Sequence, residues 1–95
     1  MKIIELDLTG CKTPFDLHER IRVAFDFPTW YGKNWDAFWD LLWSECDADK
    51  VIIRGENSLP HAFQEDLHIM HEALEDTITF REDNNLNPFA YEIVE

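Results

Sequence analysis

Ninety-five residues carry 20 acidic against 8 basic side chains, a formal net charge of -12, and such a field disfavours nucleic acid and anionic membrane while favouring a basic partner. A chain of this length supports one core, so residues 1–95 are read as a single domain with little material for a deep enzymatic cavity. A hydrophobic fraction of 45% with seven phenylalanines places the acidity on a folded body rather than a disordered tail.

Lys2 to Leu8 reads as a buried strand, Ile3 on one phase and Ile4, Leu6 and Leu8 on the other, turned by Thr9-Gly10-Cys11-Lys12. Thr13 then offers an N-cap, Pro14 the first helical position and Asp16 the reciprocal group of a capping box. Leu17, Ile21, Ala24 and Phe25 form the inner stripe of this helix, which must stop before Pro28. His18 is assigned to its outer surface. A loop from Asp26 to Gly32 leads to a second helix, capped by Asn34.

Lys50 to Arg54 is a β-branched run expected to be a strand buried on both faces. Ser58 and Pro60 open the longest helical pattern, with Leu59, Phe63, Leu67, Met70 and Leu74 at helical spacing. Ile78-Thr79-Phe80 fits either a continuation of that helix or a short strand. Asp83 to Pro88 is loop, and Phe89 to Val94 a last strand. The order strand, two helices, strand, helix, strand implies an α/β fold: a parallel sheet of three strands with right-handed crossovers.

The second helix is where function concentrates. Residues 30 to 45 hold all four tryptophans and two aspartates one turn apart. At about 100° per residue, Trp35, Phe38, Leu41 and Leu42 face the core, while Asp36, Trp39, Asp40 and Trp43 share the opposite side. Paired carboxylates repel one another by a few tenths of a kcal/mol and suit sites built for phosphate, where an arginine fork meets each with two parallel hydrogen bonds. Indoles around them exclude water. Tyr31 and Phe38 are read as packing residues, as is Trp35; Trp43 is equally able to face a partner or to fold back over the second strand.

Cys11 and Cys46 make no disulfide framework, and the absence of a signal peptide or a run of about 18 apolar residues gives a reduced, cytoplasmic setting as the expectation. His68-x-x-His71 beside Glu65 and Glu72 lacks a third and fourth ligand, so surface histidines and no metal or other cofactor are expected. The aspartate pair also has the form of a glycosidase pair, but a convex helix offers no pocket for turnover.

The segment Pro28-Thr29-Trp30-Tyr31-Gly32-Lys33-Asn34-Trp35-Asp36-Ala37-Phe38-Trp39-Asp40, with Asp-Leu-His-Glu at 16 to 19, resembles the barstar family of intracellular ribonuclease inhibitors. The pattern Pro-x-x-Tyr-Gly-x-Asn-x-Asp-Ala-x-Trp-Asp carries the likeness, which extends over essentially the whole chain and is specific at 28 to 42. It implies a barstar-like fold with three to four helices packed on the three-stranded parallel sheet. It also implies that the second helix and the loop before it plug the active site of a basic ribonuclease, or of a ribonuclease toxin domain, in a one-to-one complex. On that resemblance Asp40 is the central carboxylate, Asp36 its partner, Asn34 the helix-opening residue, Gly32 the turn glycine and Trp39 the aromatic between the aspartates. Glu72 is an auxiliary acidic contact. Trp30 replaces a tyrosine of the prototype, and Trp43 and Glu45 differ from it at the helix end, so both tryptophans enter the partner-binding set as carriers of specificity. Three roles are carried forward: a stoichiometric inhibitor, a non-inhibitory module docking a basic partner, and a small hydrolase.

Overall fold

The computed structural model describes residues 1–95. Its elements are β1 (Ile3–Asp7), α1 (Pro14–Phe25), α2 (Trp35–Ser44), β2 (Lys50–Arg54), two 3-10 turns (Glu56–Ser58 and His61–Phe63), α3 (Gln64–Asp83) and β3 (Ala90–Val94). The sheet has the order β1-β2-β3 and both pairings are parallel. Ile4, Val51 and Tyr91 stand side by side, as do Leu6, Ile53 and Ile93.

Ile4, Leu6, Val51 and Ile53 are buried, whereas their neighbours along each strand are not. The helices therefore cover one face, and β2 is not buried on both as its composition suggested. On the open face Lys50 reaches Glu92 at 3.3 Å and Arg54 reaches Glu5 at 3.5 Å. A five-residue strand with three β-branched residues at its centre suits a half-covered pleat as well as a covered one, which is why it misleads.

Helix α1 begins as its capping box dictates. Thr13 Oγ1 accepts the Asp16 N–H at 3.1 Å, and Asp16 Oδ2 accepts the N–H groups of Thr13 and Lys12 at 3.2 and 3.0 Å. Those backbone donors hold the Asp16 carboxyl below its usual range. Helix α3 starts later than its apolar pattern suggests, because the Ser58 hydroxyl donates back to Gly55 O at 2.6 Å and is no N-cap for it. Leu59 lies between the two 3-10 turns and Phe63 ends the second. At its other end α3 runs unbroken to Asp83, so Ile78-Thr79-Phe80 is helix.

The core draws on every strand and helix except β3, whose Tyr91 packs against its edge. Arg81 closes its lower end: Nη1 donates to Ala48 O at 2.9 Å and Asn87 O at 3.5 Å, Nη2 to Cys46 O at 3.0 Å, and the guanidinium lies 5.0 Å from the centre of the Phe89 ring. A buried cation is here answered by carbonyl dipoles instead of a carboxylate. Both cysteines are free thiols, and burial raises the pKa of each.

Candidate functional site

The loop before α2 is tied down at two buried aromatics, Phe27 and Tyr31. Phe27 is buried against Phe25, their centres 5.2 Å apart, and Tyr31 is buried against Phe27 at 5.5 Å. The Tyr31 N–H closes a turn on Pro28 O at 3.0 Å. Trp30, inside that turn, is thrust outward and is 72% exposed. Asn34 caps α2 as its position implied, with Oδ1 accepting the Ala37 N–H at 2.8 Å while Nδ2 donates to Gly32 O at 3.2 Å.

The left-handed residue directly before the Asn34 cap is Lys33, with φ of 53°, and Gly32 has no positive φ. Glycine serves at 32 for another reason: a Cβ there would lie 3.1 Å from Asn34 Nδ2 and crowd the cap.

His18 is not on the helix surface; it is 3% exposed. Its Nδ1 lies 2.7 Å from the Tyr31 hydroxyl and its ring 4.4 Å from that of Trp35, whose Nε1–H donates to Asp66 Oδ1 at 2.9 Å. α1, the loop, α2 and α3 are thereby joined beneath the α2 N-terminus. Burial lowers the His18 pKa, opposed by the Asp66 carboxylate and aided by Lys33, and burial pushes the Tyr31 phenol well above its ordinary range. His18, Ile21 and Phe25 share the spacing i, i+3, i+7, the signal that would have placed the imidazole inward.

Along α2, Phe38, Leu41 and Leu42 are buried, while Asp36 and Asp40 are exposed one turn apart. Trp39 is not a fully outward residue but packs half-buried along the edge of the core. Trp43 folds back, though not over β2. It lies on α3, stacked on Phe80 at 4.2 Å and 11°, with its Nε1–H donating to Thr77 Oγ1 at 3.0 Å.

Charge is sharply divided. Lys2 pairs with Asp47 at 2.6 Å, Arg22 and Lys33 with Glu19 at 2.7 and 3.4 Å, and Lys50 and Arg54 with strand glutamates. No lysine or arginine pairs with Asp36, Asp40, Glu65, Asp66, Glu72, Glu75, Asp76, Glu82 or Asp83, the whole acidic complement of α2 and α3. Glu72 is exposed with His68 at 3.7 Å, and no hydrogen bond or ion pair joins it to α2. The α3 carboxylates that border Trp43 are instead Asp76 and Asp83, which the sequence did not single out. Their spacing of seven places them on one helical stripe.

His71 is half-buried rather than free on the surface, its Nε2 2.7 Å from Glu56 Oε2 and its ring 6.1 Å from Tyr91. His68 is exposed. Nowhere do three or more histidine, cysteine or carboxylate side chains converge in a way that could hold a metal ion.

A family model described as Barstar (barnase inhibitor) matches residues 1–92. The chain belongs to the Barstar family. Its three-stranded parallel sheet with three helices is the barstar-like α/β fold. A Bacillus subtilis (strain 168) protein named "Putative ribonuclease inhibitor YrdF" is 34% identical over 65 residues, covering 63% of this chain and 71% of that protein. Ribonuclease inhibition is thus the role attached to the Barstar family and to this relative.

Proposed function

We propose that this chain is a stoichiometric protein inhibitor of a basic ribonuclease, or of a ribonuclease toxin domain, and that α2 and the loop before it block the active site. One observation carries the reading: Asp36 and Asp40 stand exposed on a face where no carboxylate has a lysine or arginine partner. An acidic surface left so unneutralised costs the free protein self-repulsion and gains it back only against cations. A ribonuclease holds phosphate with such cations, and an arginine fork donates to a carboxylate in the same geometry.

Rigidity supports the reading too. The Asn34 cap and the bonds among His18, Tyr31, Trp35 and Asp66 fix the loop and the helix start before any partner arrives, which lowers the ordering cost of association. Trp39, between the two aspartates in sequence, and Trp30, exposed in the loop before them, offer aromatic area that would shield the ion pairs from water. Gly32, Trp43 and Glu72 complete the proposed binding set, Gly32 through the cap and Glu72 as an outer acidic contact. The protein contributes no catalysis in this scheme, and we place it in the cytoplasm, where RNA is at risk and thiols such as Cys11 and Cys46 stay reduced.

The test is protection of RNA. A panel of basic ribonucleases and toxin domains is titrated with the purified chain, and one-to-one abolition of cleavage for at least one of them is the expected result. Tight binding to a basic partner with cleavage unaffected makes the chain a non-inhibitory docking module instead.

A further inference from the structure

At the C-terminal end of α2 the surface changes character. Trp43 is locked: its ring lies parallel to Phe80 at 4.2 Å, its Nε1–H is held by Thr77 Oγ1 at 3.0 Å, and the buried Thr77 hydroxyl in turn donates to Ala73 O at 2.8 Å. Even so, Trp43 remains 41% exposed. Beside the pair runs a shallow groove of about 260 Å³ with Trp43 and Phe80 as its apolar wall and Asp76 and Asp83 among its lining. Neither carboxylate has a cationic partner.

An aromatic wall with unpaired carboxylates beside it matches one side chain better than any other. A guanidinium is flat, lies against a ring face and forks its N–H groups onto carboxylate oxygens, whereas an ammonium satisfies the charge alone. We propose that this groove seats an arginine side chain of the basic partner, as a contact separate from the Asp36–Asp40 pair. The inference rests on the inhibitor reading only for the molecule that supplies the arginine. A second copy of this chain is a poor source, because Arg20 and Arg81 donate to backbone carbonyls, Arg22 is forked onto Glu19 and Arg54 faces Glu5. Two bodies of net charge -12 also repel.

The groove is tested on the whole chain with arginine amide and lysine amide at equal ionic strength, following the indole and backbone N–H groups by NMR. Arginine amide is expected to shift the Trp43 indole and the Asp76 and Asp83 amides in a saturable way, with lysine amide several-fold weaker. In the Asp76→Asn/Asp83→Asn variant the saturable response is expected to vanish. Equal response to both amides, or an unchanged response in that variant, overturns the seat. Against a ribonuclease that the chain inhibits, the same variant is expected to raise Kd about 10-fold, with cleavage still blocked at higher concentration; an unchanged Kd overturns its part in recognition. A chain that seats arginine amide but protects RNA from no ribonuclease retains the groove and loses the inhibitor reading, so the two failures are told apart.

Discussion

The Nδ1 atom of His18 lies 2.7 Å from the hydroxyl of Tyr31, and through that bond the first helix holds the loop that displays Trp30. Two further polar ties join α1 to this stretch: Lys33 pairs with Glu19 at 3.4 Å, and the Phe27 N–H donates to Arg22 O at 2.9 Å. The contact makes the presentation of the proposed binding surface sensitive to the charge on one imidazole.

Burial lowers the His18 pKa below the ordinary value near 6.5. The unfolded chain therefore takes up the proton first, and stability falls as pH drops from about 6.5 toward the lower folded value. The depressed carboxylates Asp7, Asp16, Glu19 and Asp47 act in a separate window, losing their contribution only below about pH 4. Urea midpoints measured at pH 7.5 and 5.5 should differ for the wild type, and His18→Gln should remove most of that difference. A midpoint independent of pH across this interval contradicts the buried neutral imidazole.

Gly32 and Asn34 act on one structure, the α2 cap. Asn34→Ala removes the acceptor for the Ala37 N–H and should cost about 1 kcal/mol. Gly32→Ala brings a Cβ within 3.1 Å of Asn34 Nδ2 and should cost a similar amount by displacing the same side chain. Because the two losses share a mechanism, the double variant should be little worse than either single one in equilibrium unfolding. Strict additivity would place the role of Gly32 elsewhere.

Arg81 is the side chain whose loss should be felt most. Without its guanidinium, the carbonyls of Cys46, Ala48 and Asn87 lose their donor and the loops before β2 and β3 lose their shared anchor. Arg81→Met should destabilise by about 2–4 kcal/mol. Arg81→Lys should recover little, since a compact ammonium cannot reach all three carbonyls and cover Phe89 together. Chemical denaturation of the three proteins checks the order.

Much of this molecule can be read from residues in a row. The α1 capping box, the Asn34 cap, the chain order of strands and helices, the parallel sheet and the inward set Phe38, Leu41 and Leu42 follow from local chemistry and periodicity, and the structure has them as expected. What a single helix cannot reveal is where its neighbours lie. Trp39 and Trp43 sit at the border between the carboxylate face and the apolar stripe, and it is α3, through Thr77 and Phe80, that draws Trp43 sideways. The spacing of His18 with Ile21 and Phe25 marks an inward position, but nothing in the sequence marks its partner thirteen residues away, because Tyr31 supplies that partner only once the loop is folded. The open face of β2 is hidden from the sequence for a like reason: coverage depends on how many helices cross the sheet, and on which side.

Association with a basic ribonuclease should be steered by the net charge, so its on-rate should fall steeply as salt rises while dissociation changes little. Stopped-flow binding at two ionic strengths reads this directly. An on-rate indifferent to salt removes electrostatic steering from the account.

The decisive comparison concerns Asp36 and Asp40. Both are exposed, so replacing them with alanine should leave unfolding stability within about 0.5 kcal/mol of the wild type. Against a ribonuclease that the wild type inhibits, Asp40→Ala should weaken binding by about 3–5 kcal/mol, roughly two to four decades in Kd, because the enzyme's cations are left buried and unpaired. Inhibition by the Asp36→Ala/Asp40→Ala protein that equals the wild type, with both proteins folded, would contradict the proposal that this helix blocks the active site.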